Sequence, residues 1–201
     1  MTPTIPDKIR GFLFSPGEAF WQVRDEDLKD TTLYFILISV IYTLLSTLIT
    51  GIAVSKHPAL LLFGLGFGSR NIILSFFIIL ALTIGIAVAY AVWLHLWIIL
   101  ICGKRDLQKT IKTVFYYLTP TMLIGWIPVI GPFAAPIWSV VVGIIGIQTL
   151  HQASFGRALI SILISIISAG ILAGVLFWPL LAEVIASGPA LIGPYHYHPV
   201  L

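Results

Sequence analysis

The stretch "YYLTPTMLIGWIPVIGPFAAPIW", residues 116–138, decides how the chain is expected to fold. It is almost wholly apolar, yet it contains six helix-breaking residues: Pro120, Gly125, Pro128, Gly131, Pro132 and Pro136. A proline lacks the backbone N–H and disfavours a helical conformation in the residue before it. We therefore predict a tight turn at residues 127–132 that joins two helices, 110–127 and 133–152. The first and last of the four prolines then fall inside these helices or near their ends, where neighbouring helices can satisfy the freed carbonyls.

The composition identifies lipid as the solvent of this chain. Of its 201 residues, 59% are hydrophobic and only 9% are charged, whereas a soluble domain carries about 25% charged residues. The single cysteine, Cys102, excludes an internal disulfide and a cysteine-rich metal site. We expect no nucleic-acid partner and no cofactor.

Five apolar runs are long enough to cross a bilayer, which takes about 20 residues per span. The fold class predicted is an all-α integral membrane protein, a five-transmembrane-helix bundle with a short N-terminal cytoplasmic interfacial helix. The expected domains are residues 1–32, a cytoplasmic N-terminal segment, 33–182, a membrane domain, and 183–201, an extracytoplasmic tail. The predicted spans lie at about 33–54, 71–102, 110–127, 133–152 and 157–181.

The basic residues give the predicted orientation. With five spans, nine of the 11 lysines and arginines share one side of the membrane: Lys8, Arg10, Arg24, Lys29, Lys104, Arg105, Lys109, Lys112 and Arg157. The other two, Lys56 and Arg70, lie on the opposite side. The positive-inside rule then predicts a cytoplasmic N-terminus and an extracytoplasmic C-terminus, in the cell membrane if the protein is prokaryotic.

The N-terminal segment carries a helix start signal and several aromatic residues. Ser15, Pro16 and Glu18 fit a capping box with proline at the first helical position. We expect residues 5–24 to lie in the cytoplasmic interface, with the aromatic side in lipid or against the bundle. The acidic residues that follow, Asp25, Glu26, Asp27 and Asp30, are interpreted as a solvated helix start.

Small residues recur every four positions in four of the predicted spans, where they allow helices to approach closely. They predict a compact bundle, and the alternative use of such a stripe is binding a partner helix. The stripes are Ser39, Thr43, Thr47 and Gly51; Ala81, Gly85 and Ala89; Ala135, Ser139 and Gly143; and Ser161, Ser165, Ala169 and Ala173.

Two segments of the chain resemble the Yip (Ypt-interacting protein) domain family of five-span membrane proteins. They are "FSPGEAFWQVRDED" before the first span and the stretch from residue 116 to "SFGRA", residues 154–158. The spacing of Pro120, Pro128 and Gly131 carries much of the similarity. The resemblance covers roughly residues 10–180, and the compact chain looks like the bacterial and archaeal branch.

The resemblance implies a non-enzymatic membrane protein. Eukaryotic members of the family associate with prenylated Rab-type GTPases and act in vesicle traffic between endoplasmic reticulum and Golgi. Their long cytosolic N-terminal region has no counterpart in residues 1–32, so a GTPase partner is doubtful. The expected partners are membrane lipids and other membrane proteins, or a second copy of the chain.

His95 is the candidate polar site inside the membrane. It lies within the second predicted span, about eight residues, or ~12 Å, from its cytoplasmic end. An ionisable residue at this depth suggests a proton relay or a substrate contact. The alternative is a neutral imidazole that bonds a carbonyl or a hydroxyl group.

Other candidate sites lie outside the spans. His151 and Arg157 flank the last cytoplasmic loop, where both are expected to reach lipid headgroup phosphates. His196 and His198 stand two apart in the C-terminal tail and are weak candidates for a metal site, and we predict no other metal ligands. The glycine-rich segment 58–70 is interpreted as an external interfacial or re-entrant segment.

These observations favour a scaffold or adaptor that engages lipids and other membrane proteins, with no catalytic residues. No serine–histidine–aspartate set or HExxH motif supports a hydrolase. The competing hypothesis is a small transporter or channel component for an ion or solute, which His95 and the broken third and fourth helices suggest.

Overall fold

A computed structural model describes residues 3–56, 72–127 and 131–191, and every regular element in these ranges is an α-helix. The helices are α1 (Ile5–Phe14), α2 (Pro16–Gln22), α3 (Leu28–Lys56), α4 (Ile72–Cys102), α5 (Leu107–Tyr117), α6 (Thr119–Ile124), α7 (Gly131–His151) and α8 (Phe155–Leu191). The glycine-rich segment 58–70 and the tail from residue 192 onward lie outside the described residues, and the predictions made for them stay predictions.

Within residues 3–56, 72–127 and 131–191, four helices are long and apolar enough to cross a membrane. Their candidate spans are Leu28–Ile49, Ile72–Cys102, Phe133–His151 and Phe155–Pro179. They correspond to the first, second, fourth and fifth predicted spans, and the protein is an integral membrane protein whose described part is all-helical. The count of five spans is not confirmed, because the third predicted span forms two shorter helices.

The third predicted span, 110–127, is broken at Leu118 into α5 and α6. Pro120 is the second residue of α6, where it has no N–H to donate to the carbonyl of Tyr116. The next residue, Thr121, donates its backbone N–H to Ser139 Oγ of α7, at 3.2 Å. Both α5 and α6 pack against α7, so the two short helices follow one neighbour.

α6 and α7 are joined near the predicted turn, but Gly131 and Pro132, which were predicted to lie in the turn, begin α7. The Gly125 N–H donates to Thr121 O at 2.8 Å, which closes the last turn of α6, and α7 begins at Gly131. A Cβ atom on Gly131 would lie 2.4 Å from the carbonyl oxygen of Ile124, so only glycine fits this close backbone approach. Pro128 lies outside the described residues. Pro132 and Pro136 both lie in α7, the first at its start and the second in its interior.

The N-terminal segment forms two helices, α1 and α2, that pack on each other and on the bundle. Ser15 precedes α2 but makes no side-chain cap hydrogen bond, so the capping box predicted there is wrong. The box forms at α1 instead, where the backbone N–H of Thr4 donates to the Asp7 carboxylate at 3.2 Å. The interfacial position of these helices stays a prediction.

Aromatic residues of α1 and α2 point in two directions. Phe12 and Phe20 are fully buried against the bundle, whereas Phe14 and Trp21 are 76% and 63% exposed. The Arg24 guanidinium lies over the exposed Trp21 ring, 5.2 Å from its centroid. The two N-terminal helices therefore contribute both to the core and to the outer surface.

Three of the four small-residue stripes face the interior. Ser39, Thr43 and Thr47 of α3 are buried, and so are Ala135 and Ser139 of α7 and Ser161 and Ser165 of α8. The stripe on α4 faces outward, because Ala81, Gly85 and Ala89 are exposed and no side chain lies within 4 Å of a Cβ built on Gly85. Packing inside the bundle thus explains most of these three stripes, but not Ala173 of α8, which is exposed, nor the stripe on α4.

Candidate functional site

Two histidines from different helices share one hydroxyl group in the interior. His95 Nδ1 of α4 lies 2.8 Å from Thr110 Oγ1 of α5, and His151 Nε2 of α7 lies 3.1 Å from the same oxygen. His151 is 3% exposed and Thr110 is fully buried. We call these three residues the histidine–threonine cluster. It joins α4, α5 and α7 through side chains that are polar and buried.

Helix ends bring the cluster together. α4 ends at Cys102 before Gly103, which has a φ of 68°, and α7 ends at His151 before Gln152, which has a φ of 53°. A left-handed residue at this position ends a helix and turns the chain. The chain then re-enters the bundle after a short loop, at Leu107 in α5 and at Phe155 in α8.

Asp106 caps the N-terminus of α5 beside the cluster. Its side chain accepts a hydrogen bond from the backbone N–H of Lys109 at 3.2 Å, and its backbone carbonyl lies 3.4 Å from Thr110 Oγ1. Burial alone would raise the pKa of this carboxyl group. The hydrogen bond from Lys109 and the positive charge of that residue outweigh burial and hold the pKa of Asp106 below its usual range.

A second polar cluster attaches the N-terminal helices to the bundle. Lys8 Nζ of α1 forms an ion pair with the Glu26 carboxylate, and the two side chains are only 7% and 5% exposed. The hydroxyl of Tyr116, on α5, donates to the other oxygen of Glu26 at 2.5 Å. The expectation that Glu26 belongs to a solvated acidic cluster is therefore wrong. We call Lys8, Glu26 and Tyr116 the ion-pair cluster.

Lys112 and several aromatic rings reinforce this attachment. The Lys112 ammonium of α5 donates to the backbone carbonyls of Glu26 and, at 3.4 Å, of Arg24. The Phe12 ring stacks on the Tyr116 ring with 4.5 Å between centroids. Charged and aromatic contacts thus hold α1, α2 and the loop after them against α5.

A groove of about 410 Å³ opens beside the break between α5 and α6. Tyr42, Tyr90, Tyr117 and Thr121 line it together with aliphatic side chains. The hydroxyl of Tyr90 bonds Ser165 Oγ at 2.8 Å, and the hydroxyl of Thr121 bonds Ser139 Oγ at the same distance. The lining therefore presents mostly apolar atoms.

The structure separates the two residues predicted to touch lipid headgroups. Arg157 is exposed at the start of α8, where a headgroup contact stays a prediction. His151 is enclosed by the protein and contacts Thr110, so its imidazole does not lie on the surface that such a contact needs. His95 lies inside α4 as expected, and its bond to a hydroxyl is the alternative that the sequence left open. His196 and His198 lie outside the described residues.

Sequence reasoning missed Thr110 and the ion-pair cluster. A threonine in a membrane helix carries no signal of its own, since its hydroxyl commonly bonds the backbone of the same helix. Lys8 and Glu26 look like ordinary surface charges in a polar segment. Only the burial of that segment against α5 and α7 reveals their role.

Among the residues that the structure describes, no group of three or more histidine, cysteine, aspartate or glutamate side chains could hold a metal ion. The arrangement of the histidine–threonine cluster suits hydrogen bonding and proton exchange.

The chain matches the Yip1 domain over residues 10–186, and it therefore belongs to the Yip1 domain family. This confirms the resemblance found in the sequence. No curated protein and no solved structure shows significant similarity to the chain.

Proposed function

We propose that this member of the Yip1 domain family is a non-enzymatic membrane scaffold or adaptor that engages lipids and other membrane proteins. The observation that carries the proposal is the outer part of α8. All nine residues from 171 to 179 are exposed. Nine residues make about two and a half helical turns, so every face of the helix carries exposed residues at this level.

The exposed part of α8 contrasts with its first half. There, buried residues such as Ala158, Ser161, Ile162 and Ser165 alternate with exposed ones, as on any helix at the edge of a bundle. In the outer part no described helix covers the apolar side chains. Gly170 and Gly174 lie four residues apart there, and a Cβ built on either would meet no atom within 4 Å. Small residues at this spacing let a second helix approach closely in lipid.

A site-specific photo-crosslinker tests the scaffold role. Placed at Leu176, which is 64% exposed, it should give protein adducts of defined mass in native membranes. The matched control is Ile73 of α4, 67% exposed, which should give lipid adducts only. Gly174→Leu, which the chain itself can accommodate, should abolish the protein adduct at Leu176. If both positions yield lipid adducts alone, the scaffold proposal is wrong.

We further propose five crossings, with the N-terminus in the cytoplasm, the C-terminus outside and, in a prokaryote, residence in the cell membrane. The distribution of basic residues supports this orientation. The path of α5 and α6 along α7 supports a third crossing made of two helical pieces. Labelling of single cysteines at positions 3 and 201 in a Cys102→Ser background tests it: labels accessible from the same compartment would contradict the proposal.

A second candidate function is that of a small transporter or channel component. The break between α5 and α6, beside the 410 Å³ groove, favours it, since transporters place broken helices at their binding sites. Solute or proton flux into liposomes that depends on His95, lost in His95→Ala, would favour transport over the scaffold role.

A further inference from the structure

The hydroxyl of Thr110 can serve both histidines only in certain proton arrangements. It has one hydrogen to donate and two lone pairs to accept with. The Thr110 oxygen lies 2.8 Å from His95 Nδ1 and 3.1 Å from His151 Nε2. When both imidazoles are neutral, one facing nitrogen can donate to the hydroxyl while the other accepts from it.

The second nitrogen of His151 decides which way the bonds run. His151 Nδ1 is buried and has no hydrogen-bond partner among the residues that the structure describes. If His151 Nε2 accepted, the hydrogen of the neutral ring would sit on Nδ1 as a buried donor without an acceptor, a costly state. The cheaper arrangement places the hydrogen on Nε2, which donates to Thr110 Oγ1. The threonine hydroxyl then donates to His95 Nδ1.

One proton can be added to this arrangement while Thr110 stays hydrogen-bonded to both histidines. His95 Nδ1 becomes an N–H donor when it is protonated, and the Thr110 oxygen accepts from both rings with its two lone pairs. The displaced hydroxyl hydrogen can turn to the backbone carbonyl of Asp106, whose oxygen lies 3.4 Å away. A second proton would have to bind His151 Nδ1, which no described residue can accept a hydrogen bond from, beside a cation.

The charges around the cluster come chiefly from the loop between α4 and α5 and from α5. Asp106 acts on both histidines, and Lys109 and Lys104 act on His151. Lys112 of α5 bonds the carbonyls of Arg24 and Glu26 instead. Helix α4 carries one more titratable side chain, Cys102, whose sulfur atom lies 3.5 Å from Ser161 Oγ of α8. Glu18 of α2, Lys29 and Asp30 of α3, and Arg157 at the start of α8 are exposed. Asp106 is thus the counter-charge for one added proton.

We propose that the histidine–threonine cluster is a binding site for a single proton, which enters at His95 Nδ1 while His151 stays neutral and orients the shared hydroxyl. The protonated ring makes a charge-assisted hydrogen bond from α4 to α5. Proton uptake therefore strengthens the contact between these two helices beside the loop that holds Asp106. This site goes beyond the scaffold role and would make the packing of the bundle responsive to pH.

Nitrogen NMR of ¹⁵N-histidine-labelled full-length protein in lipid nanodiscs tests the proposal, because it distinguishes the two ring nitrogens. The chain has five histidines, so the His95 and His151 signals are assigned from His95→Gln and His151→Gln. Near neutral pH both rings should carry their hydrogen on Nε2. On acidification to about pH 4, across the ordinary range of histidine, His95 Nδ1 should gain a proton first. His151 should remain neutral until at least about one pH unit lower.

Thr110→Val removes the shared hydroxyl at nearly constant volume and should abolish the fixed order of protonation. The matched control is Thr113→Val on the same helix, whose buried hydroxyl bonds only the Lys109 carbonyl, at 2.8 Å, and which should titrate like the wild type. The proposal is overturned if His151 takes up the first proton, or if both rings stay neutral throughout. It is equally overturned if the two valine variants titrate alike. The wild-type titration decides the outcome even if a variant fails to fold.

Discussion

The ion-pair cluster gives the sharpest prediction about stability. Lys8→Met keeps the length of the side chain but removes the charge that compensates the Glu26 carboxylate. Both side chains are more than nine-tenths buried. Removing one partner of a buried ion pair costs about 3–5 kcal/mol, because the other charge is left uncompensated.

The expected effect is undocking of α1 and α2 from the bundle. At 1.4 kcal/mol for each factor of ten, the cost corresponds to an opening equilibrium at least about a hundredfold larger. Hydrogen–deuterium exchange of the amides of residues 5–22 in lipid nanodiscs measures this opening directly. Glu26→Gln, which leaves Lys8 unpaired but still accepts from the Tyr116 hydroxyl, should cause a similar loss of protection.

The double variant Lys8→Met/Glu26→Gln should recover most of the protection, because it leaves no unpaired charge. The matched control is Lys109→Met. The ion pair of Lys109 with Asp106 is 3.5 Å long, and its two side chains are about half exposed, at 45% and 46%. This substitution should therefore change the free energy of opening, as measured by exchange, by less than about 1 kcal/mol. The reasoning fails if Lys8→Met has no larger effect than Lys109→Met, or if the losses from the two single variants simply add.

Three further predictions concern the packing and the helix ends, and five variants test them by thermal unfolding in nanodiscs. Gly146→Ala would place a Cβ 2.6 Å from Phe20 Cζ and should destabilise by about 1–3 kcal/mol, whereas Gly174→Ala, with open space around it, should not. Gln152→Gly relieves a left-handed backbone with a φ of 53° and should stabilise by about 0.5–1 kcal/mol, so a lower melting temperature would contradict the assignment. Asp106→Ala should cost about 1 kcal/mol through loss of the α5 cap, and Asp106→Asn much less. Because the folded-state pKa of Asp106 lies below its ordinary value of 3.8, the stabilisation from its ionised form is present above that pH and is lost as the pH falls through the folded pKa.

The sequence by itself determined the class of the protein, its family and the approximate positions of the four long helices. Long apolar runs dictate membrane helices, because only a helix satisfies every backbone group within its own segment in lipid. Pro120 and Gly131 act locally, on the backbone of their own segment, so the helix break and the turn near them could be predicted without knowledge of the fold. How far the break shortens α5 and α6 could not be predicted, because it depends on the bond from Thr121 to Ser139 in another helix.

Only the tertiary structure decided which polar groups meet. His95 and His151 lie far apart in the sequence, and the spans that carry them are apolar on nearly every face, so no periodic pattern indicates which side looks inward. The rotation and depth of each helix bring both rings to Thr110. In the same way, burial against α5 turns Lys8 and Glu26 from two polar surface residues into an ion pair. Contacts of this kind depend on side chains from separate helices, and local sequence carries no record of them.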